Sequence, residues 1–198
     1  MTFYKHLGID IHHKLNWNYS IEKMINGGWK TYFSIENNCK STNLVKWDNK
    51  KFLFETVVIP IILYGCEVWG CNNCRESWRK IMKIHKRFIT YKLKIKSNVP
   101  YPILLIEVGV SPIESMDMTR YLMYKHKINN MGSERLPKID LNSSQNQLHF
   151  KWCWCKDSMA WLNHWGTDEN DILQKIDNVK NNIGSKFKEK LWCEKNLA

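Results

Sequence analysis

The stretch that decides the fold is RESWRKIMKIHKRFITYKLK, residues 75–94. Its apolar side chains recur every three or four positions, which is the period of one face of an α-helix. Members of this face are Trp78, Ile81, Ile84 or His85, and Phe88. Gly and Pro, the residues that most disfavour a helix interior, do not occur from here until Pro100. The pattern therefore predicts an amphipathic helix from about Arg75 to Lys94.

The other face of this predicted helix is strongly basic. Residues 74–98 contain 9 basic side chains and 1 acidic one, a net charge of +8 out of the +11 of the whole 198-residue chain. A basic stripe repeats at i, i+4, i+8 and i+11 through Arg75, Arg79, Lys83 and Lys86. A field this localised indicates a polyanionic partner, nucleic acid first and an anionic membrane second. A solvated helix face is the alternative.

The chain before this helix is predicted to begin with a strand. Residues 3–13 alternate apolar and polar side chains with the period of a β-strand, and no partner strand precedes them. Helical spacing begins at Asn18. The Gly27-Gly28 pair predicts a kink in that helix, and residues 34–43 are predicted to form a loop.

A second helix is expected from Leu44 to Tyr64. Pro60 falls inside it and is predicted to bend it, because proline lacks the N–H that the helix would use there. By propensity alone Val57 to Leu63 could instead form a buried strand. The sequence favours the helix and leaves the strand as an alternative.

The chain after residue 94 continues the helical pattern. A short helix is predicted from Ile103 to Val108, ending at Gly109, and a longer one from about Pro112 to Met131. Residues 132–147 are polar and contain Gly, Pro and Ser, which is typical of a linker. Two or three short helices are predicted in residues 148–198.

Cysteine content and hydropathy bear on the compartment. The chain has seven cysteines, an odd number, and its N-terminus MTFYKHLGID lacks the apolar core of a signal peptide. The longest apolar run, Val57 to Tyr64, is far too short to span a membrane. We therefore expect reduced thiols, an intracellular location in the nucleus or the cytoplasm, and no membrane partner.

The sequence gives only weak signals for a metal site or a catalytic group. Cys71-x-x-Cys74 has a zinc or redox spacing, but no second pair completes four ligands nearby. His149, Cys153, Cys155 and His164 form a second cluster whose spacing is not that of a zinc knuckle. Glu67 and Glu107 are isolated carboxylates without an acid–base partner. No metal site and no catalytic residue are predicted.

Three segments in collinear order carry a family resemblance. YKHLGIDI (Tyr4 to Ile11) resembles the "YLGI" segment that follows the catalytic palm of LINE-type (non-LTR) retrotransposon reverse transcriptases. LFETVVIPIILYGCEVWG (Leu53 to Gly70) looks like the family's thumb segment. RFITYKLKIKSNVPYPILLIEVGVSPIE (Arg87 to Glu114) is similar to the stretch after it. The resemblance covers about residues 3–131.

The resemblance implies a domain organisation and a fold class. Residues 1–15 would be the remnant of a palm and primer-grip strand, residues 16–131 a helical thumb-like domain, residues 132–147 a linker, and residues 148–198 a small helical C-terminal region. The fold class expected is mainly α, a helical thumb-like bundle with a short N-terminal β segment. The palm of the parent polymerase would lie before Met1.

The charge pattern and the resemblance together give a set of candidate binding residues, the basic ones from the charge pattern and the primer-grip-like ones from the resemblance. Contacts to the nucleic-acid backbone are assigned to Arg75, Arg79, Lys80, Lys83, Lys86, Arg87, Lys92 and Lys94. Primer-grip-like positions are Tyr4, Leu7, Gly8 and Ile9, where the absence of a Cβ at Gly8 would let the backbone approach a primer closely.

The expected function is that of a non-catalytic part of an RNA-directed DNA polymerase. Its partners would be the RNA–DNA template–primer duplex and the parent protein's palm and fingers. The sequence has no Asp-Asp pair, so the aspartates that hold two magnesium ions in such polymerases are not predicted here, and no cofactor is expected in this chain. The alternatives are a helical protein-interaction module and a degenerate transposon-derived reading frame with no selected function.

Overall fold

The computed structural model of the chain describes residues 3–14, 16–44, 46–70, 75–95 and 98–146, together with Asn163. The described part is mainly helical with a short N-terminal β segment, which confirms the predicted fold class. It divides into two compact units. Unit 1 contains Met1–Gly65 and Cys74–Val99, and unit 2 contains Cys66–Asn73 and Pro100–Ala198. The helices predicted in residues 148–198 lie outside the described residues, Asn163 apart.

The N-terminal segment is a hairpin and not the single strand that its alternation predicted. Strand β1 (Phe3–His6) pairs antiparallel with β2 (Ile9–His12), with His6 opposite Ile9. The chain reverses at Leu7 and Gly8, whose φ angles are 46° and 86°. Two successive residues with positive φ are what a two-residue hairpin turn of type I′ requires, and alternation does not reveal such a turn.

Helix α1 (Asn18–Ser41) is longer than predicted and takes in most of the stretch 34–43 that was expected to be a loop. That loop prediction was wrong because Glu36 and Cys39, both buried, continue the inward face of the helix. Gly27 and Gly28 do not interrupt α1, which continues through both residues. The chain packs closely against α1 at these two positions, which explains why they are glycines.

The second predicted helix is confirmed, and the strand alternative is wrong. It begins as α2 (Trp47–Leu53), widens into a π-helical turn (Phe54–Val58), and continues as α3 (Ile59–Ile62). Pro60 is the second residue of α3, separated from the end of the wide turn by one residue. Proline cannot donate to the carbonyl one turn earlier and its ring crowds that carbonyl, so the widened turn lets the helix continue past it.

Helix α5 (Arg75–Leu93) confirms the helix predicted from the deciding stretch. A short helix, α4 (Cys66–Trp69), precedes it in the chain and belongs to unit 2. The apolar face of α5 is buried in unit 1. There Phe88 stacks on Phe54 with ring centroids 4.2 Å apart, and His85 stacks on the same ring at 5.6 Å. This packing fixes which face of α5 points away from the core.

Unit 2 continues with α6 (Tyr101–Val108), which begins two residues before the predicted Ile103, and α7 (Ile113–Asn129), which ends two residues before the predicted Met131. Gly109 ends α6 with a φ of 67°, the left-handed conformation of a helix C-terminus. The stretch 132–147 is not a plain linker, because it contains α8 (Leu136–Asn146). Leu141 of α8 is buried against Ile128 of α7, a contact that polar composition does not suggest. None of the described helices is long and apolar enough to cross a membrane.

Candidate nucleic-acid interface

The outward face of α5 presents most of the predicted phosphate-binding side chains. Arg79, Lys83 and Arg87 are exposed, and Lys80 and Lys86 are half-buried. Lys94 is exposed just after the helix, in a turn where its φ is 54°. The remaining two predicted residues, Arg75 and Lys92, are the first and the penultimate residue of α5.

Lys80 is the exception on this face, because its charge is engaged within the protein. Its ammonium pairs with Glu22 of α1 and with Glu76, whose Oε1 lies 3.3 Å away. Hydrogen bonds to these two carboxylates raise the pKa of Lys80 above its usual value. We therefore assign Lys80 mainly to joining α5 to α1, and less to binding an external anion.

The C-terminal end of this face combines cations with an aromatic ring. The Arg87 guanidinium carbon and the Lys40 ammonium nitrogen each lie 5.6 Å from the centroid of the Tyr91 ring. Such cation–π contacts hold basic groups in place while leaving their N–H donors available. Lys40 comes from α1 and was not among the predicted residues, because it is isolated in the sequence and only folding brings it to α5.

The four primer-grip-like residues lie together in the hairpin. Tyr4 is 68% exposed in β1 and Leu7 is 75% exposed at the tip. The Tyr64 hydroxyl donates a 2.9 Å hydrogen bond to the Leu7 carbonyl oxygen. Ile9 is half-buried in β2. A Cβ added at Gly8 would meet nothing within 4 Å, so the glycine serves the turn's positive φ and leaves open space beside the backbone.

The hairpin is attached to α1 by polar contacts from Asp10. Its carboxylate pairs with the Lys23 ammonium at 2.6 Å, and its backbone carbonyl accepts a hydrogen bond from the Ser20 hydroxyl. Side-chain hydrogen bonding to Asp10 raises the pKa of Lys23. Sequence alternation identified the extended segment, but it carried no signal for this attachment.

The two carboxylates that the sequence singled out, Glu67 and Glu107, lie in different helices. Glu67 is half-buried in α4 and Glu107 is exposed in α6. Within the part of the chain that the structure describes, no group of three or more His, Cys, Asp and Glu side chains could hold a metal ion. The Cys71-x-x-Cys74 pair and the cluster at His149, Cys153, Cys155 and His164 lie outside the described residues.

Comparison of the chain with protein-family models, with curated proteins and with solved structures found no match.

Proposed function

We propose that this chain binds the sugar–phosphate backbone of a nucleic-acid duplex through the outward face of α5. The proposal rests on one observation, that α5 is apolar on one side and basic on the other. Its apolar side is buried in unit 1, and Arg79, Lys83 and Arg87 are exposed on the other side. Lys and Arg suit this role because neutralising a phosphate releases condensed counterions, which drives binding.

The length of α5 fits a duplex better than a compact anion. Its 19 residues correspond to about 28 Å at about 1.5 Å per residue. One turn of duplex is about 34 Å long. A stripe of cations along such a helix can follow several phosphates in succession, whereas a single small anion would engage only one or two of them.

We further propose that the duplex is an RNA–DNA template–primer and that the chain acts as the thumb region of a non-LTR reverse transcriptase. The collinear resemblance of residues 3–131 supports this assignment. In that role the chain grips the duplex, and nucleotidyl transfer, with its magnesium ions, belongs to the palm and fingers of the parent polymerase. No catalytic step is assigned to residues of this chain.

The test is charge reversal on the exposed face, using Arg79→Glu, Lys83→Glu and Lys86→Glu together. A matched control reverses three exposed lysines elsewhere: Lys30→Glu, Lys46→Glu and Lys127→Glu. Both variants change the net charge equally, so the comparison separates a local site from general attraction. We expect the first variant to lose duplex affinity for all sequences alike, because phosphate contacts carry no base identity, and the control to keep most of it.

The salt dependence of binding provides a second measurement. If about four or five phosphates are engaged, the slope of log K against log salt is about −3 to −5 for the unmodified chain. The readout is a fluorescence titration of an RNA–DNA hybrid at several salt concentrations, with circular dichroism to confirm folding. A folded α5 variant that binds like the unmodified chain would place the interface elsewhere. Absence of binding at low salt would favour a protein-interaction module or a degenerate reading frame.

A further inference from the structure

We propose that a cavity in unit 1 binds one unpaired nucleotide of a single-stranded nucleic acid, whatever its base. The cavity has a volume of about 490 Å³, within the range of about 300–1,000 Å³ that is usual for small-molecule sites. It is lined by residues from the C-terminal ends of α1 and α5 and from α2. The lining residues that carry the argument are Lys40, Asn43, Trp47, Lys50, Tyr91 and Lys94.

The charges around the cavity favour a ligand that carries a phosphate. Lys40, Lys50 and Lys94 line it from three separate elements. Lys40 and Lys94 are exposed and Lys50 is half-buried. Glu36, the acidic lining residue, is buried beside Tyr32, and no contact with the ligand is assigned to it. The mutual repulsion of the three ammonium groups is relieved when an anion binds among them.

The backbone at Lys94 is unusual for a lysine. Lys94 directly follows α5 with a φ of 54°, and Asn43 just after α1 has a φ of 51°. Both residues line the cavity. This left-handed conformation at a helix end is usual for glycine and tolerated by asparagine, whereas it strains other side chains. A lysine therefore occupies a position where glycine would fold with less strain, which is explained if its charge serves a ligand in the cavity.

Trp47 provides the surface on which the base stacks. Its ring stacks on Phe88, with centroids 5.3 Å apart and an angle of 22° between the rings. Phe88 thus covers one face of the indole and holds it in one orientation. Because Trp47 is half-buried and lines the cavity, a base can stack on the indole from the cavity side. Every base has an aromatic face, so stacking of this kind does not depend on base identity.

The cavity adjoins the basic face of α5 at Tyr91. The guanidinium carbon of Arg87, on that face, and the ammonium nitrogen of Lys40, in the cavity, each lie 5.6 Å from the centroid of the Tyr91 ring. Arg87 and Tyr91 are about one helical turn, or about 6 Å, apart along α5. A strand whose phosphates contact Arg87 can therefore place a neighbouring nucleotide in the cavity. In this respect the choice of a nucleic-acid strand over other phosphate-bearing ligands rests on the proposed function of α5.

The first experiment compares short single strands on the full chain by fluorescence anisotropy. The probes are labelled tetranucleotides of thymidine, deoxyadenosine and deoxycytidine, and a tetranucleotide backbone without bases. We expect the three intact strands to bind alike, and each to bind about tenfold more tightly than the abasic strand, because one stacked base is lost. Equal affinity of the intact and abasic strands, or no binding of the intact strands at low salt, would overturn the proposal. Tighter binding of a phosphotyrosine peptide would assign the cavity to a modified protein and overturn it as well.

Two substitutions of Trp47 test the stacking surface. Trp47→Leu should abolish the preference for the intact strand over the abasic one, whereas Trp47→Phe, which keeps an aromatic ring, should retain most of it. Circular dichroism confirms that both variants fold. A folded Trp47→Leu chain that still prefers the intact strand would exclude Trp47 as the stacking surface and contradict the proposal.

Two glycine substitutions separate the charge of Lys94 from its backbone conformation. Lys94→Gly relieves the strained φ, so it should raise the urea midpoint of unfolding. It should also lower strand affinity about fivefold at about 0.1 M salt and make the slope of log K against log salt about 0.7 less steep, as loss of one phosphate contact implies. Asn43→Gly, at the other positive φ, removes no charge and should leave affinity and slope unchanged. A Lys94→Gly chain with the slope of the unmodified chain would remove Lys94 from the site and overturn the phosphate assignment.

The variant with Arg79, Lys83 and Lys86 reversed to Glu separates this cavity from the duplex site. It should bind every strand more weakly, because the basic face of α5 attracts any phosphate backbone. It should nevertheless keep the preference for the intact strand over the abasic one, since that preference arises in the cavity. Loss of duplex binding with the preference retained would confirm the cavity independently of α5, whereas loss of the preference in this folded variant would place the base on α5 and overturn the proposal.

Discussion

At the scale of single residues, Asp117 of α7 is fully buried inside unit 2. Its carboxyl group lies against Gly70, where a Cβ would not fit. Burial raises its pKa to about 8, an effect only partly offset by the neighbouring Cys66 thiol. The group is therefore protonated at neutral pH. Glycine at position 70 is explained by the space that this carboxyl group occupies.

The raised pKa of Asp117 predicts that stability falls as pH rises. Above pH 4 the unfolded carboxyl ionises, while the folded one stays protonated until about pH 8. The folded state then holds the extra proton, so its stability falls by up to about 1.4 kcal/mol per pH unit in that window. Asp117→Asn should flatten this slope in urea denaturation at pH 5, 6 and 7.

Glu114, whose pKa burial raises to about 7, keeps a smaller slope of the same sign in the Asp117→Asn variant. Below about pH 4 Asp117 is protonated in both the folded and the unfolded state, so the pH dependence of stability should become the same for the variant and the unmodified chain. An unchanged slope between pH 5 and 7 in the variant would show that Asp117 is ionised in the folded state.

The backbone conformation of Leu7 costs a measurable amount of folding free energy. It is 75% exposed and has a φ of 46°, a region that costs an ordinary side chain about 1–2 kcal/mol and that asparagine tolerates. Leu7→Asn should stabilise the chain by about 0.5–1 kcal/mol, because Asn-Gly is the preferred pair for this turn. The measurement is urea denaturation.

The control for this hairpin substitution is Leu136→Asn, which also replaces a highly exposed leucine, 80% exposed in α8. Because the backbone of Leu136 is helical, this substitution has no positive φ to relieve. The control should leave stability unchanged or slightly lower. Equal gains in both variants would attribute the effect to surface polarity and not to the turn.

At the scale of elements, close packing of α1 against α3 rests on the pair Gly27 and Gly28. A Cβ at Gly28 would lie 2.5 Å from Cγ1 of Ile62, whose side chain is fully buried. A Cβ at Gly27 would lie 3.3 Å from Cγ2 of Ile61, which is half-buried. The two glycines thus differ in how much room an added methyl would find.

This difference predicts opposite outcomes for two alanine substitutions. Gly28→Ala should destabilise the chain by up to about 2 kcal/mol, because an overpacking cost of about 1–3 kcal/mol outweighs the gain of about 1 kcal/mol in helix propensity. Gly27→Ala should be nearly neutral or slightly stabilising, since Ile61 can shift. Thermal denaturation of both variants checks this order, and the reverse order would contradict the packing of α1 on α3.

At the scale of the whole molecule, positive charge is concentrated in α5 and the residues just after it, while the rest of the chain is nearly balanced. Residues 74–98 carry +8, and the remaining residues together carry +3 of the total of +11. Along α5 the pairs Arg79–Lys83 and Lys83–Arg87 are like charges at i, i+4. Each such pair destabilises a helix by about 0.2–0.5 kcal/mol when it is not screened.

Screening by salt should therefore stabilise the free protein. Raising NaCl from about 0.01 to about 0.3 M shortens the screening length well below 10 Å. We expect the free energy of unfolding to rise by about 0.5–1 kcal/mol. The variant Lys83→Gln, which removes both like-charge pairs, should show a smaller increase in urea denaturation. A chain that is equally stable at both salt concentrations would mean that this repulsion is already relieved by internal partners.

By itself, the sequence determined the helical elements whose signals are local. The presence and approximate extent of α5, α6 and α7 follow from apolar spacing, from the absence of Gly and Pro in the α5 stretch, and from Gly109 as a helix end. These features depend on residues within a few positions of one another. The basic face of α5 is of the same kind, because helix geometry alone puts Arg79 and Lys83 on one side.

Only the tertiary structure decided the features that depend on distant residues. The C-terminal half of α1 and helix α8 form because a buried face is available to each, as shown by Cys39 in α1 and by Leu141 in α8. A cavity in unit 1 likewise takes its lining lysines, Lys40, Lys50 and Lys94, from α1, from α2 and from the turn after α5. Burial and electrostatic contact depend on distance in space, and residues far apart in sequence acquire that distance only when the chain has folded.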